Sequence, residues 1–157
     1  MTKQKIIKDF ARNKKVYFKY TILEKLRAGI SLLGQEVKAI KSGRISLGGS
    51  YVVIRGGEAF LVGANIPAYQ PRNSRPDYNP ERDRKLLLQK AEINQLIGKI
   101  KQKGLTIAHL RVYNTKGKIK LDIAIVKGKK KFDKRETIKK RDAKVEMARI
   151  LKQNIHK

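Results

Sequence analysis

The sequence predicts a mainly β domain with helices: a small barrel of about six antiparallel strands and two to three helices, followed by a basic C-terminal tail. Three observations lead there. Apolar and charged residues alternate at a period of two in several short runs, glycine-bearing turns separate those runs, and beyond Val126 the alternation gives way to lysine clusters and a thin apolar stripe. A chain of 157 residues fits one domain plus a tail better than two full domains. The division is set at 1–126 for the body and 127–157 for the tail.

Taken in order, residues 16–23 are rich in aromatic and β-branched types and read as a strand. Gly29 punctuates a second apolar run, Ile30 to Leu33. Gln35 to Ser42 reads as a helix, with Val37 and Ile40 on one face and Gly43 at the C-terminal cap. Tyr51–Ile54 and Ala59–Val62 flank Arg55-Gly56-Gly57-Glu58, a hairpin whose glycines accept positive φ without a Cβ clash.

Residues 67–85 hold all four prolines and no apolar period, so they read as a long loop, with a turn at Asn79-Pro80. From Leu86 the apolar positions 86, 93, 96, 97 and 100 have helical spacing, ended by Gly104. The last pair of strands is the clearest. Ala108, Leu110 and Val112 alternate with His109, Arg111 and Tyr113, and past the turn Asn114–Gly117, Ile119, Leu121, Ile123 and Ile125 alternate with charged residues. Short antiparallel strands with helices plugging the ends suggest a barrel of the oligonucleotide-binding kind.

The tail carries thirteen Lys and Arg against four Asp and Glu, a net +9. Its stripe of Ile138, Val145, Ala148, Leu151 and Ile155 is helical in spacing but buries too little to offset ordering of the backbone at about 1–2 kcal/mol per residue. It is expected to be disordered alone and helical against an anionic partner. The alternative is a C-terminal helix packed on the barrel.

Charge sets the function class. Against 13 Asp and Glu stand 39 Lys and Arg, a formal net charge of +26, and such self-repulsion points to a polyanionic partner. The absence of cysteine excludes disulfides, thiolate zinc sites and thiol catalysis, and two histidines make no metal cluster. No stretch approaches the roughly 18–20 apolar residues of a membrane span, and the opening Met1–Phe10 has no apolar signal core, so the protein is read as cytoplasmic. The carboxylates are scattered among cations, no phosphate-cradling loop occurs, and Ser46 and Ser50 lack a catalytic context; no enzyme, metal or cofactor is expected.

Lys38 and Lys41 share a helical face and Arg44 follows, while Arg82, Arg84 and Lys85 cluster at the end of the long loop. Either group is a phosphate-binding patch or a solvated face. Tyr17, Tyr20, Tyr51 and Tyr113 are candidates for base stacking or for the core.

Several motifs then carry a resemblance in sequence order: Asn13-Lys-Lys15, the run from Gly34 to Arg44, Ser50-Tyr-Val52, the run from Gly57 to Leu61, Arg84 to Leu88, and Lys127-Gly-Lys-Lys130 followed by Asp133-Lys-Arg135. Over essentially the whole chain, roughly Asn13 to Lys152, the sequence resembles the small protein B family, whose members bind transfer-messenger RNA in ribosome rescue by trans-translation. The resemblance implies a monomeric bacterial RNA-binding protein with an oligonucleotide-binding-like barrel and a tail that becomes helical on the ribosome. It implies an RNA-facing side at Asn13, Lys14, Glu36, Lys38, Lys41, Arg44, Lys85 and Leu87, with Arg82 and Arg84 added from their clustering. Lys127, Lys129, Lys130, Lys131, Phe132, Asp133, Lys134 and Arg135 would meet small-subunit ribosomal RNA near the decoding centre. Arg149, Ile150, Leu151 and Lys152 would lie in the empty messenger channel. Departures from the pattern are Arg27 where Glu is common, which removes an RNA contact or turns a base-edge acceptor into a phosphate donor, Gln35 in place of Trp, and Phe132 in place of His. The competing function is a ribosomal or ribosome-assembly protein of the same barrel-plus-tail composition.

Overall fold

The structure is a computed structural model that describes residues 8–155, leaving aside the side chains of residues 131–133 and 155. In chain order its elements are β1 Lys8–Arg12, α1 Lys14–Lys19, β2 Tyr20–Ile30, α2 Gly34–Lys41, β3 Tyr51–Arg55, β4 Glu58–Val62, β5 Arg84–Leu87, α3 Lys90–Ile100, β6 Leu105–Thr115, β7 Lys118–Gly128 and α4 Lys131–Ile155. The seven strands form one antiparallel sheet in the order β1-β6-β7-β2-β5-β4-β3. It is not a closed barrel: β1 and β3 end the sheet and do not pair, although β3 returns against β6.

The long central strands carry the core. Leu121, Ile123 and Ile125 of β7, Ala28 and Ile30 of β2 and Val112 of β6 turn to one face, where Ala39 and Ile40 of α2 and Leu96 of α3 cover them. A second, smaller cluster forms on the opposite face, where Val16 of α1 meets Leu110, Ala124 and Val126. One sheet thus buries apolar side chains on both faces, with α1 as the cover of the second.

That second cluster explains the first departure from the sequence reading. Residues 16–23 are not one strand: Lys14–Lys19 coil into α1 because Val16 gains burial there, and the strand begins only at Tyr20. Nor does Gly29 end a strand. It lies within β2, opposite Leu87, where an added Cβ would come 3.1 Å from the leucine Cβ. The third correction concerns Leu86, which is in β5 and not at the start of a helix; Arg84 and Leu86 are buried while Lys85 and Leu87 are exposed, a period of two that the helical spacing further on concealed.

Other expectations stand. Gly56 and Gly57 take φ of +56° and +76° in the β3–β4 turn. The long loop expected over 67–85 is present but ends at residue 83, since Arg84 and Lys85 belong to β5; it has a 3-10 turn at Pro71–Asn73, and the Asn79 side chain accepts from the Glu81 amide at 2.9 Å. In the last hairpin the alternation is broken by a bulge between His109 and Arg111, so that His109, read as solvent-facing, turns inward. β7 continues two residues past the expected end of the body, pairing Lys127 with Thr21 and Gly128 with Tyr20.

The tail, expected to be disordered alone and helical against a partner, forms the helix α4. Its composition of Lys, Arg, Glu, Ala, Met and Leu favours helix intrinsically. Every side chain from Lys139 to Asn154 is exposed, so α4 is not packed along the body as in the alternative reading; it meets the body near its start, against α1.

The fold makes a direct prediction. Leu121→Ala removes a fully buried side chain from the middle of the sheet and is expected to cost about 2–5 kcal/mol, seen as a lower urea midpoint at unchanged slope.

Candidate nucleic-acid interface

Glu36 sits on the buried face of α2 with its carboxylate fully enclosed. Arg82 grips it with two bonds, Nε to Oε1 at 2.6 Å and Nη2 to Oε2 at 2.9 Å. Arg84 adds Nε to Oε2 at 3.3 Å and donates from Nη1 to the Ala64 carbonyl at 2.7 Å and from Nη2 to the Pro80 carbonyl at 2.9 Å. Tyr78 closes the knot, its hydroxyl donating to the Ile66 carbonyl at 2.6 Å. Burial pushes the Glu36 carboxyl up, but the hydrogen bonds and charges of Arg82 and Arg84 outweigh it and hold the group below its usual value. Both Glu36 and Arg84 are 0% exposed. Neither side chain reaches the surface where RNA was expected: their charges are internally satisfied and hold the loop that follows β4. Arg82 is partly exposed, yet its guanidinium is engaged on the same carboxylate.

The open edge of the sheet is occupied by a cleft of about 770 Å³. One wall is the corner between β1 and α1, the other the segment 45–51 that leads into β3. Lys14, Lys15 and Lys19 line it and pair with no carboxylate among the described residues, and Arg12 joins them while holding Asp9 at 2.7 Å. Tyr20 and the half-exposed Tyr51 supply aromatic surface. At its base lies His109, placed by the bulge, with Nε2 3.2 Å from both Asn13 Nδ2 and Ser50 Oγ. Asn13 also donates to the His109 carbonyl at 3.1 Å. Asn13 therefore ties the two walls together through His109 and Ser50, its Nδ2 being engaged on the His109 side. Burial pushes the His109 imidazole down.

Of the other expected contacts, Lys38, Lys41 and Arg44 are exposed on or just after α2, Arg44 reaching the Tyr69 carbonyl at 3.4 Å. Lys85 is exposed and pairs with Glu58 at 2.9 Å. Leu87 is an apolar side chain 54% exposed beside Gly29. Tyr113 is no stacking platform: it is buried, its hydroxyl donates to Asp122 at 2.8 Å, and its ring lies 4.4 Å from the Arg111 guanidinium and 5.6 Å from that of Arg27. Burial, with Asp122 beside it, pushes its pKa up to about 12.

Along the tail, Lys127 and Lys130 are exposed near the end of β7, as is Arg135 in α4. Lys129 is engaged, donating to the Tyr17 carbonyl at 3.1 Å and to Thr137 Oγ1 at 2.7 Å. Lys134 is partly buried, and Arg149, Ile150, Leu151 and Lys152 are exposed on the distal part of α4. The side chains of Lys131, Phe132 and Asp133 lie outside the described residues. Arg12, Lys15 and Lys19 were not among the expected contacts: Lys19 fell within residues 16–23, which read as a strand, and the Arg12-Asn-Lys-Lys15 run was the available signal for the other two.

A curved β module with a lysine-lined cationic cleft and a projecting basic helix is built for a polyanion. The chain belongs to the SmpB protein family, whose model matches residues 10–153. The SsrA-binding protein of Trichodesmium erythraeum is 47% identical over 150 residues, covering 96% of this chain and 94% of the relative. That of Thermosipho africanus is 48% identical over 149 residues, covering 94% and 99%. A chain in the solved structure described as "tmRNA-SmpB: a journey to the center of the bacterial ribosome" is 38% identical, with a TM-score of 0.61 over 77% of this chain and 85% of that one.

Two outcomes follow from the buried polar groups. Glu36→Ala leaves Arg84 buried without its counter-charge and is expected to destabilise by about 3–5 kcal/mol in urea unfolding. Acid lowers stability in two stages. His109 is neutral in both states above pH 6.5, and below that value the unfolded chain takes up its proton more readily. Glu36 has a folded pKa below 4.5, so its contribution is complete above pH 4.5 and is lost as pH falls through the folded value. Unfolding midpoints measured from pH 8 to pH 3 check both stages, and His109→Gln removes only the first.

Proposed function

We propose that the chain binds transfer-messenger RNA and carries it to stalled ribosomes for trans-translation, acting as a monomer in the bacterial cytoplasm, with no catalysis and no cofactor. One observation carries the reading: the family match at residues 10–153 spans both the cationic β body and most of the basic helix. The two parts divide the work. The body, through Gly128, recognises folded RNA by shape and phosphate; Lys14, Lys38, Lys41, Arg44 and Lys85 meet phosphates and the exposed Leu87 meets an apolar RNA surface. Asn13, Glu36, Arg82 and Arg84 hold that surface in shape. The tail reads the ribosome, with Lys127 to Arg135 at ribosomal RNA of the decoding centre and Arg149 to Lys152 in the messenger channel. Phe132 acts there by stacking alone, since its ring offers no hydrogen-bond donor.

Sequencing the RNA that co-purifies with the full chain tests the assignment. One stable small RNA is expected; association with all ribosomes in constant ratio would identify a ribosomal protein instead. If about eight phosphates are neutralised, the logarithm of affinity for transfer-messenger RNA falls with log salt at a slope of about −6 to −7, and a slope near zero removes the electrostatic argument. Truncation after Lys130 retains the last β7 pairs. It is expected to leave RNA affinity within about threefold, roughly 0.6 kcal/mol, while abolishing tagging of stalled nascent chains in a reconstituted translation assay.

A further inference from the structure

Between α1 and α4 lies a second hollow of about 270 Å³, adjoining the cleft and sharing Arg12 and Lys14 with it. Pockets for drug-sized ligands begin at roughly 300 Å³, so this one admits a single small planar group and no helix or duplex. Its lining divides by chemistry. Tyr17, Phe18 and Ile138 are apolar, and Arg12, Lys14 and Arg141 are cationic. Lys14 and Arg141 pair with no carboxylate among the described residues, and Tyr17 stands 47% exposed. The two helices that form it are joined by Lys129, whose ammonium donates to the Tyr17 carbonyl on one side and to the Thr137 hydroxyl on the other.

From this geometry we infer that the hollow is a nucleotide subsite, taking one unpaired base of single-stranded RNA against Tyr17 and Phe18 with its flanking phosphates on Lys14, Arg12 and Arg141. Every nucleobase offers a π face to an aromatic ring, and its phosphates offer the negative charge that Lys14 and Arg141 lack, Arg12 being already paired with Asp9. Three cations around the same opening disfavour a basic or purely apolar occupant. Because α1 belongs to the body and α4 to the tail, a base held there fixes the direction in which the tail leaves the body. The inference deepens the function proposed above and rests on it only in taking RNA as the partner.

The test uses the full chain, labelled at isoleucine δ1 methyl groups, titrated with pentaadenylate and with a pentamer of equal charge whose riboses lack bases. The Ile138 methyl is expected to shift upfield with pentaadenylate and to stay in place with the abasic pentamer. Tyr17→Ala is expected to weaken pentaadenylate binding roughly 5- to 100-fold, and Tyr17→Phe to restore it, the Ile123 and Ile125 methyls reporting an intact core in both. Equal shifts from the two pentamers, or unchanged affinity in Tyr17→Ala, overturn the inference. Binding of transfer-messenger RNA in the same samples separates the two readings. Its binding without a base-dependent shift overturns the subsite and leaves the function; a base-dependent shift without its binding overturns the function and leaves the subsite.

Discussion

A single enclosed carboxylate, Glu36, organises the half of the molecule that has least regular structure. Two guanidiniums and the neighbourhood of a tyrosine hydroxyl converge on it, and the same guanidinium of Arg84 reaches out to the Ala64 and Pro80 carbonyls. A buried ion pair is a weak source of net stability, since desolvation consumes most of the Coulombic gain. What it supplies here is uniqueness. A proline-bearing loop of seventeen residues has many compact paths across a sheet, and the path taken satisfies both arginines and the Ala64, Ile66 and Pro80 carbonyls at once. The position of α2 relative to β5, and with it the placement of Lys38 and Lys41, follows from that choice.

The sheet is shaped by interruptions in its pairing. Bulges fall between Ile22 and Glu24 in β2 and between His109 and Arg111 in β6, on two strands that both pair with β7. Each adds local twist, and together they coil the long strands enough to bring β3 back against β6 without hydrogen bonding β3 to β1. The gap left between those edges is the cationic cleft. The β6 bulge also swings His109 inward, where it links Asn13 to Ser50 across the gap. Curvature, cleft and cross-link therefore share one cause.

The parts of this fold legible in the sequence are those governed by local chemistry. The Gly56-Gly57 turn, the α2 segment with Val37 and Ile40, and the alternation from Ile119 to Ile125 each follow from residues that are near neighbours in the chain. What escaped depended on distant partners. α1 is helical because Val16 meets Leu110, Ala124 and Val126, and none of those is within ninety residues of it. β5 is a strand because its four residues pair between β4 and β2. The site divides the same way: a cationic surface was readable from composition, whereas Glu36 and Arg84 look like any other charged residues until burial removes them from the solvent face. His109 was hidden by a bulge, which leaves no mark in an alternating pattern.

The junction between sheet and tail is short. Gly128 still pairs with Tyr20, the Lys129 amide bonds the Lys19 carbonyl at 2.9 Å, and α4 begins at Lys131. With 25 residues rising about 1.5 Å each, the helix is a rod of about 37 Å that starts within two residues of a firmly paired strand. So short a junction leaves no slack by which the helix could slide along the body. Its tip is confined to a spherical shell around the end of β7, so whatever grips the body also determines the distance at which the far end can probe.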